Sequence, residues 1–186
     1  MIFLVGPHGA GKTTVAEMLR RKGYLTLDLG PMLREAFEAA NSGRIFAEWI
    51  ADGEQRTGKH FTDEVLAGKV CQHLAAVNTW AIQGVAVIGN RSMQGVQYLR
   101  ERLQREATGN PGVIVFIDAP TEILRARYAQ REGKMISENE FSRLLAIDGE
   151  IGITSLESGA DYYIKNDSSV TALVLKVESM LVFFAV

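Results

Sequence analysis

Absences narrow the reading first. The chain has one cysteine, Cys71, which excludes an internal disulfide and fits a reducing compartment. Cys71 falls in a helical pattern, as a small core residue or, in the sharper reading, a reactive thiol. No charge of one sign prevails: 20 Lys and Arg stand against 22 Asp and Glu, for a net charge of −2. That balance implies no broad basic face and gives no support to nonspecific nucleic-acid binding, while a local cleft can still be basic. Long apolar runs are also missing. The C-terminal stretch from Met180 to Val186 is strongly apolar but falls short of the about 20 residues that span a bilayer. It reads as the end of a last helix packed on a sheet, or as a subunit contact in a homodimer. Met1 abuts the first strand pattern, so no secretory leader is read, and a cytoplasmic protein without a membrane partner is expected. No internal repeat or low-complexity linker interrupts the 186 residues, so a single domain is expected.

What is present begins at once. The apolar run Ile2-Phe3-Leu4-Val5 leads into Gly6-Pro7-His8-Gly9-Ala10-Gly11-Lys12-Thr13, which fits G-x-x-x-x-G-K-S/T, a phosphate-binding loop. Val15-Ala16-Glu17-Met18-Leu19-Arg20 leads out as a helix. The glycines let the backbone curl so that its N–H groups converge on phosphate oxygens. Lys12 is placed to reach β- and γ-phosphates, and the Thr13 hydroxyl to ligate Mg²⁺. The positive end of the next helix favours the anion. Gly9, Ala10, Gly11, Lys12, Thr13 and Thr14 are therefore the candidate nucleotide contacts, with Thr13 the candidate metal ligand. His8 reads as a tolerated side chain on the loop.

Strand-like and helix-like segments then alternate. Strands are expected at residues 2–5, 24–28, 80–88, 113–117 and 161–165. Helices are expected at 13–22, 31–40, 44–51, 62–78, 93–106, 121–131, 138–148 and from about 168. Residues 52–60 read as a Gly-rich charged loop, Thr62 as a helix cap, and Gly109-Asn110-Pro111-Gly112 as a turn. Asn41-Ser42-Gly43 is a break. Strands separated by helices imply α/β architecture: a five-stranded parallel sheet in three layers with helices on both faces. Ligands in such folds sit at the carboxyl ends of the strands.

Polar residues cluster at those ends. Asp28 closes the second strand and fits a general base, a ligand to a metal-bound water, or a loop cap. Arg34 and Arg91 suit a clamp on an acceptor phosphate, or surface ion pairs. Arg127 and Arg131 lie four apart on one helix face beside Gly133-Lys134. They suit a lid that closes on transferring phosphates, or a solvated basic face. Asp118 ends a strand as a metal-shell or turn-capping residue.

These features resemble the small P-loop kinases of the nucleoside monophosphate kinase and dephospho-CoA kinase group. Gly30-Pro31-Met32-Leu33-Arg34 is similar to the adenylate-kinase segment T-G-D-M-L-R, whose arginine binds the acceptor phosphate. The likeness carries to Arg34 alone, since Pro31 replaces the acid. Gly89-Asn90-Arg91 sits where nucleotide kinases often have D-G-x-P-R. Arg91 matches the arginine, and Ile88 stands where the Walker-B-type acid would be. The resemblance makes Asp28 similar to the candidate base of dephospho-CoA kinases. It also makes Arg127 and Arg131 lid arginines, and Asn166 and Asp167 adenine contacts. It implies a P-loop NTPase fold over residues 1–186, with an acceptor-binding helical insert at about 31–79 and a lid-like segment at about 125–140.

The expectation is a kinase that uses ATP and Mg²⁺ and transfers the γ-phosphate to a nucleotide-type acceptor, a nucleoside or deoxynucleoside monophosphate. Catalysis would rest on Lys12, Asp28, Arg127 and Arg131, and acceptor binding on Asp28, Arg34 and Arg91. An alternative acceptor is a hydroxyl, on dephospho-CoA or on a 5-hydroxymethyluracil base in phage DNA. With DNA as partner, Arg44, Arg56, Lys59 and His60 would flank a strand groove, with Trp49 or Phe61 for stacking. A nucleotide-binding switch or ATPase is the remaining class.

Overall fold

The computed structural model describes residues 1–40, 43–77, 82–106 and 112–184. Five strands form one sheet: β1 (Ile2–Val5), β2 (Tyr24–Asp28), β3 (Gly84–Ile88), β4 (Val113–Asp118) and β5 (Tyr162–Lys165). Their order is β2-β3-β1-β4-β5 and every pairing is parallel. β1 is central, and all four of its residues are buried. Its alternation divides the core. Ile2 and Leu4 join one apolar cluster, and Phe3 and Val5 join the other. A strand apolar on both faces needs cover on both, which the helices supply. On one side lie α1 (Lys12–Arg21), α6 (Thr121–Glu132), α7 (Glu138–Ile151) and α9 (Val170–Phe184). On the other lie α2 (Leu29–Ala40), α4 (Phe61–Ala76), α5 (Met93–Glu106) and the short α8 (Ile153–Ser158). Together with α3 (Phe46–Thr57), placed against α4, this is the three-layer α/β architecture expected from the sequence. Among the described residues no helix is long and apolar enough to cross a membrane.

Several boundaries depart from the sequence expectation. Residues 52–57 are helical, not loop: α3 runs on to Thr57, whose hydroxyl donates to the Gly53 carbonyl, and stops at Gly58 with φ 94°. Gly53, read as a loop residue, is a packing glycine. A Cβ there would lie 2.3 Å from the Phe61 ring, so its absence lets α3 and α4 meet. α2 starts at Leu29, directly after the strand, because the Asp28 carboxylate accepts the Gly30 N–H at 3.0 Å and caps the new helix. α4 begins at Phe61, so Thr62 is not its cap. β3 spans Gly84–Ile88 only, and the added α8 was not anticipated. Asn41, Ser42, Asn78, Trp80, the 109–111 part of the expected turn, Ala185 and Val186 lie outside the described residues.

Candidate active site

The carboxyl ends of β1, β2 and β3 open onto two adjoining cavities. The first, about 400 Å³, is lined by Gly6, His8, Lys12, Thr13, Asp28 and Arg131 among others. The second, about 870 Å³, lies between α2, α4 and α5. Gly30, Arg34, Gly89, Asn90 and Arg91 line both, so the cavities form one cleft with two arginines at the seam.

The phosphate loop is braced on three sides. Gly9 has φ 81°, and a Cβ there would fall 2.3 Å from the Leu124 carbonyl oxygen of α6. Gly11 has φ 97°, and a Cβ there would meet the Asn166 amide at 2.4 Å. The Asn166 amide donates to the Ala10 carbonyl at 2.8 Å. Lys12 Nζ donates to the Gly6 and Pro7 carbonyls, each at 2.8 Å, which holds the ammonium over the loop. Burial pulls its pKa down to about 8. Arg91 and Arg131 push the same way, against the opposing pull of Asp148 and Asp28. Thr13 and Thr14 are exposed in the first turn of α1, whose amide end faces the cavity with no acidic side chain in that turn.

Asp28 stands one strand away from the expected position of the missing acid. In the β2–β3 register Asp28 pairs with Ile88, and Ile88 pairs with Leu4 of β1. The carboxylate is thereby displaced about 4.8 Å sideways, one strand spacing, yet it still lines the phosphate cavity. Asp28 Oδ1 and Arg34 Nη2 flank Gly30, where a Cβ would lie 3.4 and 3.9 Å from them. Mg²⁺ takes one or two carboxylate or hydroxyl oxygens and fills the rest of its octahedron with water and substrate phosphate. Thr13 with Asp28 in one cavity matches that hard-oxygen set.

The lid arginines separate. Arg131 lines the phosphate cavity, packs over the Tyr128 ring at 5.0 Å and pairs with Glu132. Arg127 points elsewhere: it donates to the Asn166 carbonyl at 3.0 Å and to its side-chain oxygen at 3.4 Å. It and Asn166 thus anchor the loop after β5 to α6 and to the phosphate loop. Asn166 is 6% exposed, with its amide committed to Ala10. Asp167 pairs with Lys176, whose hydrogen bond lowers the Asp167 pKa. Asp118 is exposed and lines neither cavity.

The acceptor-side chamber combines Leu33, Phe37 and Phe46 with Asp63, Asn90 and Gln94. Asn90 is 9% exposed and its side-chain oxygen has no hydrogen-bond partner, an uncommon state for a buried amide. Trp49 and Phe61 are not free to stack on a strand. Trp49 is buried at 6% exposure, and its ring meets Phe61 at 4.9 Å and Phe37 at 5.6 Å. Arg44 and Arg56 both pair with Asp52, at 2.5 and 2.8 Å, so these two groove cations share one carboxylate. Lys59 and His60 do line the chamber.

Sequence reasoning missed His8 and Asp148. His8 Nδ1 lies 2.6 Å from Asp148 Oδ2, and Asp148 is buried on α7. Burial alone would raise the Asp148 pKa, but the His8 hydrogen bonds and the Arg91 charge outweigh it and hold it low. One signal was available. Phe141, Leu144, Leu145 and Asp148 fall at i, i+3, i+4 and i+7, which puts a carboxylate on the inward stripe of the helix.

Comparisons with known proteins bear on the fold and the family. A UPF0200 protein of Pyrococcus horikoshii is 26% identical over 187 residues, covering 97% of this chain and 95% of its own. The cytidylate kinase of Pseudomonas aeruginosa is 27% identical over 214 residues, covering 97% and 93%. Among solved structures, TT1252 from Thermus thermophilus superposes with a TM-score of 0.68 at 16% identity, covering 100% and 97%. Shikimate kinase from Acinetobacter baumannii gives 0.55 at 22%, covering 99% and 92%. Residues 2–145 match the AAA-domain family, and the chain, with its phosphate loop and kinase-type sheet, belongs to that family.

Proposed function

We propose that the chain is a phosphotransferase that moves the γ-phosphate of ATP to a nucleotide-type acceptor, a nucleoside or deoxynucleoside monophosphate. One observation carries this reading: the phosphate cavity opens into a separate chamber of about 870 Å³, with Arg34 and Arg91 at the junction. A hydrolase or switch needs no such second chamber. Forked guanidinium groups suit a phosphate at the junction, and Phe37, Phe46 and Leu33 suit a planar apolar body beyond it. The buried Asn90 oxygen offers an acceptor to an N–H or O–H of that body.

In the proposed reaction an acceptor phosphate oxygen attacks the γ-phosphorus. The new O–P bond forms as the bond to the β-phosphate oxygen breaks, and ADP leaves. Lys12 and the loop amides hold the β- and γ-phosphates, and Arg131 and Arg91 meet the charge on the transferred group. Mg²⁺, when bound with ATP, neutralises phosphate charge, and Thr13 and Asp28 are the residues that would hold it. Arg127 and Asn166 keep the loop in shape from behind.

Asp28 supports a second reading. A carboxylate lining the phosphate cavity beside the junction is placed to take a proton, which a hydroxyl acceptor needs and a phosphate acceptor does not. Dephospho-CoA and hydroxymethylated DNA belong to that class. γ-Labelled ATP incubated with ribo- and deoxynucleoside monophosphates, dephospho-CoA and 5-hydroxymethyluracil DNA separates the two. Label on a monophosphate supports the first reading. Label only on a hydroxyl acceptor overturns it in favour of the second, and hydrolysis without any labelled acceptor overturns both.

A further inference from the structure

Three side chains from distant parts of the chain meet beside the phosphate loop. His8 is on the loop, Arg91 follows β3, and Asp148 is on α7. Asp148 Oδ2 lies 2.6 Å from His8 Nδ1 and accepts the His8 backbone N–H at 3.3 Å. Arg91 Nη2 lies 3.1 Å from His8 Nε2, and Arg91 Nη1 lies 3.8 Å from Asp148 Oδ1. The protonation pattern follows from the donor inventory. A guanidinium has only donors, so His8 Nε2 must present its lone pair, and the ring proton is on Nδ1, directed at Asp148. The Asp148 side chain is 4% exposed, whereas that of Arg91 is 48% exposed. A half-exposed arginine alone would sample many rotamers, and here two contacts from a buried anchor restrict it.

We infer that Asp148 and His8 are positioning residues for Arg91, holding its guanidinium at the junction of the two cavities. The inference rests on the kinase reading for its purpose but not for its geometry. The arrangement makes α7 part of the site. It ties the donor-side loop to the acceptor-side arginine through one imidazole, so that the cation facing the transferred phosphate is oriented before substrates meet. Preorganised charge of this kind avoids reorganisation during the reaction.

Two histidine variants dissect the link. In His8→Asn the amide nitrogen overlays Nδ1, which keeps a donor for Asp148 and removes the acceptor for Arg91. In His8→Gln the amide oxygen reaches the Nε2 position, which keeps the acceptor for Arg91. Transfer to whichever acceptor is labelled should fall about tenfold in His8→Asn, with ATP affinity within about twofold, and recover in large part in His8→Gln. The His8→Asn loss should vanish in an Arg91→Ala background, because a positioning residue has nothing left to position. A loss that multiplies with that of Arg91→Ala, or a fall in ATP affinity that accounts for it, overturns the inference. A second arm needs no acceptor. The ¹⁵N shifts of the His8 ring at neutral pH should report the Nδ1–H tautomer in the wild type and its loss in Asp148→Ala, which leaves Nδ1–H without its acceptor and Arg91 without its buried anchor. An Nε2–H tautomer in the wild type overturns the inference even where transfer is found. The Nδ1–H tautomer sustains it even where the panel yields no labelled acceptor, an outcome that counts against the kinase reading alone.

Discussion

The two cavities of the cleft are built in opposite ways. In the phosphate cavity Gly6, His8, Lys12 and Thr13 come from one continuous loop, and Gly9 and Gly11 of that loop pack against Leu124 and Asn166, which do not line the cavity. The acceptor chamber has no such segment. Its wall is gathered from α2, the start of α3, the loop into α4 and the start of that helix, the segment after β3, α5 and the end of α7. A loop that binds phosphate through its own backbone must keep its residue types at fixed spacing. A chamber made of side chains from so many places can change its lining without changing the fold. Under the proposed reading the difference divides chemistry from specificity: transfer would belong to the first cavity, and the choice of acceptor to the second.

Removing the central cation of the first cavity should have the largest effect. Lys12→Ala is expected to lower transfer by about 10³-fold, the scale for loss of one preorganised group facing developing charge. The γ-label assay measures it. A rate within about twofold of wild type would remove Lys12 from the chemistry. The contrasting change is Arg34→Ala at the seam. It should cost about 10²-fold in kcat/KM for the acceptor, because a forked pair of hydrogen bonds to phosphate is lost, while ATP affinity stays within about twofold. If ATP binding fell as much as acceptor use, the two cavities would not be separable, and the comparison would fail.

That contrast also describes what could be read in the sequence. The phosphate loop was legible because its ligand contacts are adjacent in the chain. The parallel sheet was legible because strand and helix periods alternate without interruption. Arg34 and Arg91 were read from the strand ends as well as from the resemblance, and both line the seam. Gly53 misled: as a glycine in a charged stretch it looks like a loop, and only the Phe61 ring across the α3–α4 contact explains it. Asp28 and Asp118 were both read as acids that could stand in for the one missing at Ile88, and the register sets Asp28 beside Ile88. His8 and Asp148 are 140 residues apart, so no local pattern joins them, although an acid on the inward stripe of α7 pointed to a buried partner. Arg127 was read as a lid arginine from its helix face and from the resemblance, and Asn166 as an adenine contact from the resemblance. Here they bond to each other and to the loop, a role for which sequence spacing offers no sign.

A smaller effect should appear with pH, and it sharpens the same comparison. The Lys12 pKa is pulled down to about 8 by burial. The ammonium is the form that meets phosphate, so activity is present below that value and lost above it. kcat/KM for ATP reports the free protein and should fall about tenfold between pH 7 and pH 9, with an apparent pKa near 8. In the complex the phosphate charge favours the ammonium, so the fall in kcat should lie at higher pH. A common midpoint for both parameters would show that another group controls the limb. The acceptor side, with its arginines charged throughout, should contribute nothing to it.

The smallest effect on chemistry should come from Gly53→Ala, which acts only on the scaffold of the second cavity. The added methyl would stand 2.3 Å from the Phe61 ring, and that ring is itself packed on buried Trp49. Relief requires α3 and α4 to part or Phe61 to leave its place. Overpacking of this kind costs about 1–3 kcal/mol, or a few degrees of melting temperature for a chain of this size. The displaced helices and the loop between them carry Phe46, Lys59, His60 and Asp63 into the chamber wall, so the acceptor KM should rise by a small factor. ATP affinity should not change, since none of the braces on the phosphate loop comes from α3 or α4. Melting curves with and without ATP check this directly: the variant should melt lower, yet gain the same increment from ATP as the wild type. A smaller increment would mean that strain in the helical insert reaches the phosphate loop, and that the two cavities share more than the residues at their seam.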